Sequence, residues 1–311
     1  MYKRQDKASL LKVMLAEAGI DSHLVLVRTR DQGKLKQRPA SLAAFNHAIV
    51  YVPEFDLFLD GTAEWSGDSE LPANDQGASV LVVEDGAGAR FTTIPISGAG
   101  DNVYAVEETV SLQQDGQATL RQQLTVTGTQ APGRRSMYEA PDKRLELLAR
   151  NLGASFPGAE VEDATFDSVE DILKPVEMNY TFRAPEWATS TDGGLRFDLL
   201  GGREGMVRRI APQVSRTHPL VLGVPFRLQR RGTVRAPEGQ VFVAAPSDAT
   251  LRSDFGSMRL RASVAETEAS YELVMEFSAI QIPPERYEEF RAFLAEIDSR
   301  LRMAFETGAA Q

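Results

Sequence analysis

An α+β fold is predicted from three observations. A helical repeat opens the chain, alternating strand patterns punctuated by turns fill its middle, and a second helical stripe lies near its end. Their order divides the chain in two. Residues 1–95 read as one helix with several antiparallel strands, and residues 100–311 as a β-sandwich with an inserted helix and a C-terminal helix.

The elements follow in order. Leu11, Met14, Leu15 and Ala18 fall at i, i+3, i+4 and i+7 and mark one helical face. Asp6 supplies an N-cap and Gly19 a C′ stop, so the helix is expected over about residues 7–18. Residues 23–28 form an apolar run of strand type, and a polar stretch holding Lys34, Lys36 and Pro39 reads as loop. Residues 48–52 and 57–59 are strands joined by Pro53-Glu54-Phe55-Asp56, which predicts an antiparallel hairpin. A loop over 68–77 precedes a strand over 80–83, and the Gly- and Ala-rich stretch 86–100 is the expected domain boundary.

Beyond it Tyr104, Val106, Val110 and Leu112 alternate, as do Leu120, Leu124 and Val126, with Asp115-Gly116 between them as a type I′ turn. Leu145, Leu148, Ala149 and Leu152 return to helical spacing between Pro141 and Gly153. Strand alternation resumes at Val176–Phe182, Leu195–Leu199 and Tyr271–Phe277, with turns at Asp192-Gly193-Gly194 and Pro237-Glu238-Gly239. The last helix starts near Pro284. Its stripe of Tyr287, Phe290, Leu294, Ile297 and Leu301 spans barely two heptads, which favours packing on the sandwich over a coiled-coil partner. Residues 307–311 are expected to fray.

Composition narrows the chemistry. A length of 311 residues, 42% hydrophobic and 25% charged, suits two globular domains. The net charge of −10 argues against a nucleic-acid partner, which needs clustered Lys and Arg; Arg208-Arg209 and Arg230-Arg231 are too short to supply it. No cysteine is present, so disulfides, thiolate metal sites and a thiol nucleophile are excluded together. No apolar run reaches the ~18 residues of a membrane span. The opening Met1-Tyr2-Lys3-Arg4-Gln5-Asp6 enters a helix without an apolar core, so no signal peptide is expected. Nothing implies a cofactor or a metal.

Three fragments carry the chemistry: Arg4-Gln5-Asp6-Lys7-Ala8-Ser9-Leu10-Leu11 at a helix start, Phe45-Asn46-His47-Ala48 opening a strand, and Leu59-Asp60-Gly61-Thr62 closing the next. The short hairpin connection brings His47 and Asp60 to the same end, where a carboxylate can orient an imidazole. A helix N-terminus beside them would suit a nucleophile. A satisfied structural His–Asp pair is the plainer alternative. A metal role for His23, His47 and Asp60 lacks the close spacing such sites use. Trp65, Trp187 and His218 read as structural.

In order and spacing, the fragments resemble the transglutaminase-like superfamily of papain-type cysteine acyltransferases and hydrolases. More narrowly they resemble bacterial proteins in which that core is flanked by β-sandwich domains of unknown function. Asp6, Lys7, Ala8, Leu10 and Leu11 match the family's Cys-Lys-Asp-Lys-Ala helix start, Asn46-His47 its histidine strand, and Leu59-Asp60-Gly61-Thr62 its Leu-Asp-Pro-Thr turn, with Gly for Pro. His218–Pro225 and Ile282–Tyr287 resemble its trailing sandwich.

The resemblance implies a truncated core, a His47–Asp60 dyad, and Arg4 at the position of the nucleophilic cysteine, with Gln5 for the usual Lys. Arginine is not a nucleophile. Ser9 lies five residues beyond Arg4 and faces elsewhere, and neither Ser41 nor Thr62 has a base and an oxyanion hole in view. The expected function is therefore an inactive family member that binds peptide or protein. Two readings stand beside it: a fragment or mis-started form of a Cys-His-Asp enzyme acting on amide bonds, and a purely structural sandwich module. Members of this family are often exported to the cell envelope.

Overall fold

The computed structural model describes residues 2–33, 35, 41–84, 86, 88–201 and 205–310, and only the backbone of residues 2–4. Lys34, Lys36 and Pro39 of the expected loop lie outside the described residues, as do Met1, Gln311 and the side chain of Arg4. The fold is α+β, with several sheets and few helices.

The chain opens with helix α1 (Tyr2–Glu17), followed by strands β1 (His23–Arg28), β2 (His47–Val52), β3 (Leu57–Leu59), β4 (Ser79–Glu84) and β5 (Gly88–Thr93). The strands form one antiparallel sheet in the order β3-β2-β1-β4-β5. Side chains alternate between its faces. Val25, Val27, Ile49, Val80 and Val82 are fully buried on one face with Phe58, Ala78 and Ile94. Ala48 and Val50 on the other meet Ala8, Leu11 and Leu15 of α1.

Helix α1 begins earlier than its sequence predicts. Residues 2–5 contain no helix breaker, so Asp6 lies one turn inside rather than at the cap. The inward face is Ala8, Leu11 and Leu15, whereas Met14 points to solvent beside Leu10 and Val13. Gly19 ends the helix as expected, at φ +76°, where the Ile20 amide reaches back to the Leu15 carbonyl. Strand β5 occupies part of the expected boundary stretch, and the chain leaves this sheet only after Thr93.

The rest of the chain runs β6 (Val103–Leu112), β7 (Ala118–Val126), α2 (Ala131–Met137), α3 (Arg144–Ser155), β8 (Glu160–Asp167), β9 (Val176–Ala184), β10 (Thr189–Thr191) and β11 (Gly194–Asp198). It continues through α4 (Met206–Ile210), β12 (Leu220–Val221), β13 (Phe226–Arg235), β14 (Gln240–Ala244), β15 (Ala249–Ser253), β16 (Gly256–Val264), β17 (Glu268–Phe277), β18 (Gln281–Ile282), α5 (Tyr287–Leu301) and β19 (Ala304–Ala309). An eight-stranded sheet in the order β15-β16-β17-β13-β6-β7-β9-β8 faces a four-stranded one in the order β10-β11-β19-β14. The β13–β6 pair is parallel.

The two sheets share one core: Phe305 stacks on Phe197 within the smaller sheet and lies 6.3 Å from Tyr271 of the larger. Helix α5 buries the whole stripe from Tyr287 to Leu301 in this core, each member at most 2% exposed, so the stripe serves internal packing. The far face of the large sheet is polar, with cross-strand pairs such as Arg227–Glu276, Arg261–Asp248 and Arg183–Glu160.

Three expectations are corrected here. Residues 307–309 do not fray but pair with β14 as the end of strand β19, which lies between β11 and β14. The β6–β7 turn is not type I′: Gly116 has φ +87° but Asp115 does not share a positive φ. A Cβ on Gly116 would also meet the Ala188 carbonyl at 2.3 Å, so close packing requires glycine there as well. Finally, α3 passes through Gly153 and ends at Ser155. No helix among the described residues is long and apolar enough to cross a membrane.

Candidate functional site

The β2–β3 hairpin pairs Val50 with Leu59 and Tyr51 with Phe58. Continued by one residue, that register sets Asp60 opposite Ile49, two residues from His47 and on the same face. The side chains meet there, with His47 Nε2 3.0 Å from Asp60 Oδ2. Asn46 fixes the start of the strand: its Oδ1 accepts from the Thr29 amide at 3.0 Å and its Nδ2 donates to Thr29 Oγ1 at 2.8 Å. The other Asp60 oxygen accepts from the Thr62 amide and hydroxyl, each at 2.8 Å.

A second carboxylate faces the same imidazole nitrogen. Asp75 Oδ2 lies 3.9 Å from His47 Nε2, and the side chains of His47, Asp60 and Asp75 are 5%, 5% and 3% exposed. Burial pushes the Asp60 carboxyl up, but the hydrogen bonds from His47 and Thr62 outweigh it, and its pKa lies below the ordinary carboxylate value. Ionised Asp60 accepts a hydrogen bond from His47 Nε2, which leaves Nδ1 as the ring nitrogen it does not engage. That atom is buried and has no hydrogen-bond partner among the described residues.

Helix α1 starts at the same end of the sheet. Gly61 sits against it, where a Cβ would lie 3.6 Å from the Lys7 carbonyl oxygen, and Lys7 pairs with Glu64 at 3.7 Å. Residue 4 lies three residues nearer the helix N-terminus, about 4.5 Å further along the axis. The arrangement offers an imidazole oriented by a carboxylate, with Nδ1 unpartnered among the described residues.

The remaining sequence candidates do not join it. His23 pairs with Tyr51 at the opposite end of β1, far from His47, which pairs with Val27. Ser9 is exposed, Ser41 caps the short helical turn at Leu42–Ala44, and the Thr62 hydroxyl is committed to Asp60. Trp187 packs on Phe197, and His218 is exposed. As a donor set, His47, Asp60 and Asp75 bring one imidazole nitrogen and two carboxylate oxygens within 4.8 Å. Those are the residues that could hold a divalent ion, although the His47–Asp60 hydrogen bond already engages the same atoms. Asp75 was not legible from sequence, because it lies in a turn-rich stretch without periodicity.

Comparison with known proteins bears on the second part of the chain and on the overall fold. The family described as "Domain of Unknown Function with solved-structure structure (DUF3858)" matches residues 207–305. The crystal structure of a "putative protease" from Parabacteroides distasonis is similar, with a TM-score of 0.50 and 14% identity, over 96% of this chain and 43% of that one. The chain thus spans less than half the length of that protein. A search of curated proteins returned no match.

Proposed function

We propose that this chain is a transglutaminase-like protein that retains the histidine–aspartate half of a papain-type site without its nucleophile. On this reading it does not turn over peptide amides and acts by binding peptide or protein. The observation that carries the proposal is the buried Nδ1 of His47, unpartnered among the described residues, on an imidazole oriented by Asp60. Leaving a polar atom buried and unpaired costs about 1–3 kcal/mol, so such an atom invites a role in binding or proton transfer. In the chemistry the fragments resemble, a thiolate attacks the amide carbonyl, the imidazole carries its proton to the leaving amine, and the carboxylate holds the ring. Arg4 at the nucleophile position supplies no such group.

Two assays on the purified chain test this. Neither hydrolysis of fluorogenic peptide amides nor amine transfer to glutamine peptides should exceed the uncatalysed rate. Dye-labelled casein peptides should bind saturably, with affinity falling about tenfold in His47→Ala. Turnover that disappears in His47→Ala would contradict the proposal.

A second reading has its own support, since the chain spans only 43% of the structurally similar protein. In a longer polypeptide with a cysteine ahead of Asp6, His47 and Asp60 would serve as base and orienting acid of an active enzyme. The DNA sequence upstream of the Met1 codon separates the two readings.

A further inference from the structure

Both carboxylates that face His47 belong to the connection between β3 and β4, which contains no strand over residues 60–78. The five-stranded sheet holds its two ends. The middle is held from elsewhere in the chain.

Arg135, on the short helix α2, is 0% exposed. Its Nη1 donates to the Trp65 carbonyl at 2.8 Å and to Glu70 Oε2 at 2.5 Å, and its Nη2 donates to Glu70 Oε1 at 3.0 Å and to the Lys174 carbonyl at 2.7 Å. Glu70 Oε2 also accepts from the Gly67 amide at 2.8 Å. Trp65 is held at φ +65°, a left-handed conformation that a bulky residue keeps only when its surroundings impose it. At Gly67 the two segments come so close that a Cβ would lie 2.2 Å from the Ile172 carbonyl oxygen.

A second grip lies further along. Arg30, just past β1, donates through Nη2 to the Ala73 carbonyl at 2.5 Å and the Gly223 carbonyl at 2.6 Å, and its amide donates to the Asn74 carbonyl at 2.9 Å. Asp75 follows directly. The second part of the chain thus meets the loop between Asp60 and Asp75 at Arg135 and Ile172, and Arg30 ties the loop to Gly223.

We infer that Arg135 is a positioning residue. Through the Glu70–Trp65 segment it holds the loop that presents Asp60 and Asp75 to His47, so the orientation of the imidazole depends on the part of the chain that follows the five-stranded sheet. A planar five-donor fork is required, because one group must satisfy two carbonyls and a carboxylate at once. The inference rests on the reading of His47 and Asp60 as the site, but its test needs no activity.

The test uses the full chain, wild type against Arg135→Met and the milder Arg135→Lys. Imidazole 15N NMR reads the tautomer of His47 among three histidines. The wild type should show one tautomer, protonated on Nε2, and slow amide exchange over residues 62–76. Both variants should show mixed tautomers and at least about tenfold faster exchange in that stretch, with β7, β13 and β17 unchanged. Arg227→Met, which removes the Arg227–Glu276 pair on the far sheet face, should alter neither readout.

Should Arg135→Met fail to fold, Arg135→Lys decides. A single His47 tautomer and unchanged exchange over 62–76 in a folded Arg135 variant would overturn the inference. Absence of peptide binding with an Arg135-dependent tautomer would instead count against the functional reading and leave this one standing.

Discussion

Asp60 accepts three hydrogen bonds with both its oxygens, and its depressed pKa makes this a pH-dependent contribution to stability. In the unfolded chain the group titrates at ~3.9. Its stabilisation is therefore complete above that value and disappears as pH falls through the lower folded pKa. Asp60→Asn removes the charge and offers His47 an amide in its place. Urea midpoints should place the variant below wild type at pH 7, with the gap closing as pH drops below about 4. A gap that stays constant down to pH 2.5 would refute the assignment. At this scale His47 and Asp60 were legible in the sequence, since strand spacing and a short connection suffice to bring them together. Asp75 and Arg135 were not. A turn-rich loop has no period to read, and a helix whose buried positions are Ala131 and Arg135 has a charge where an apolar residue would signal the face.

Strands declare themselves by alternation, and those of this chain were readable where alternation is clean. In β9 and β17 nearly every second residue is buried. Strand β8 is harder to read, because a register shift between Val161 and Asp163 spaces its inward residues Val161, Ala164 and Phe166 unevenly. Strand β5 is exposed along almost its whole length, as suits a sheet edge, so no apolar pattern marks it.

Within the large sheet one device lay beyond any periodic signal. Glu108 of β6 is buried and accepts from Nε and Nη2 of Arg230 at 2.8 and 2.7 Å, together with hydrogen bonds from Gln122 and Tyr271. Gly232 makes this feasible: the Tyr271 ring lies where its Cβ would be. Arg230→Met should cost about 3–5 kcal/mol in denaturant unfolding, because it strands a buried carboxylate. Arg183→Met breaks the exposed pair with Glu160 and should cost less than about 1 kcal/mol. Equal costs would mean that the Glu108 cluster is no more than a surface pair.

Across the whole molecule, the loop over residues 60–78 is held at its ends by the first sheet and in its middle by Arg135 and Ile172 of the second part of the chain. The first sheet is covered unevenly. Helix α1 lies over β2 and β1, while Leu10, Val13 and Met14 on the helix and Val83 and Phe91 on β4 and β5 remain exposed, Phe91 at 54%. The proposed role of His47 as an oriented base rests on its Nδ1, unpartnered among the described residues, on a ring held by Asp60. It is tested most directly by restoring a thiol. Arg4→Cys should be alkylated by iodoacetamide at pH 6 about tenfold or more faster than Ser9→Cys on the same helix, and the advantage should vanish when His47→Ala is added. Equal rates for the two cysteines, or a fast Arg4→Cys reaction indifferent to His47, would contradict it.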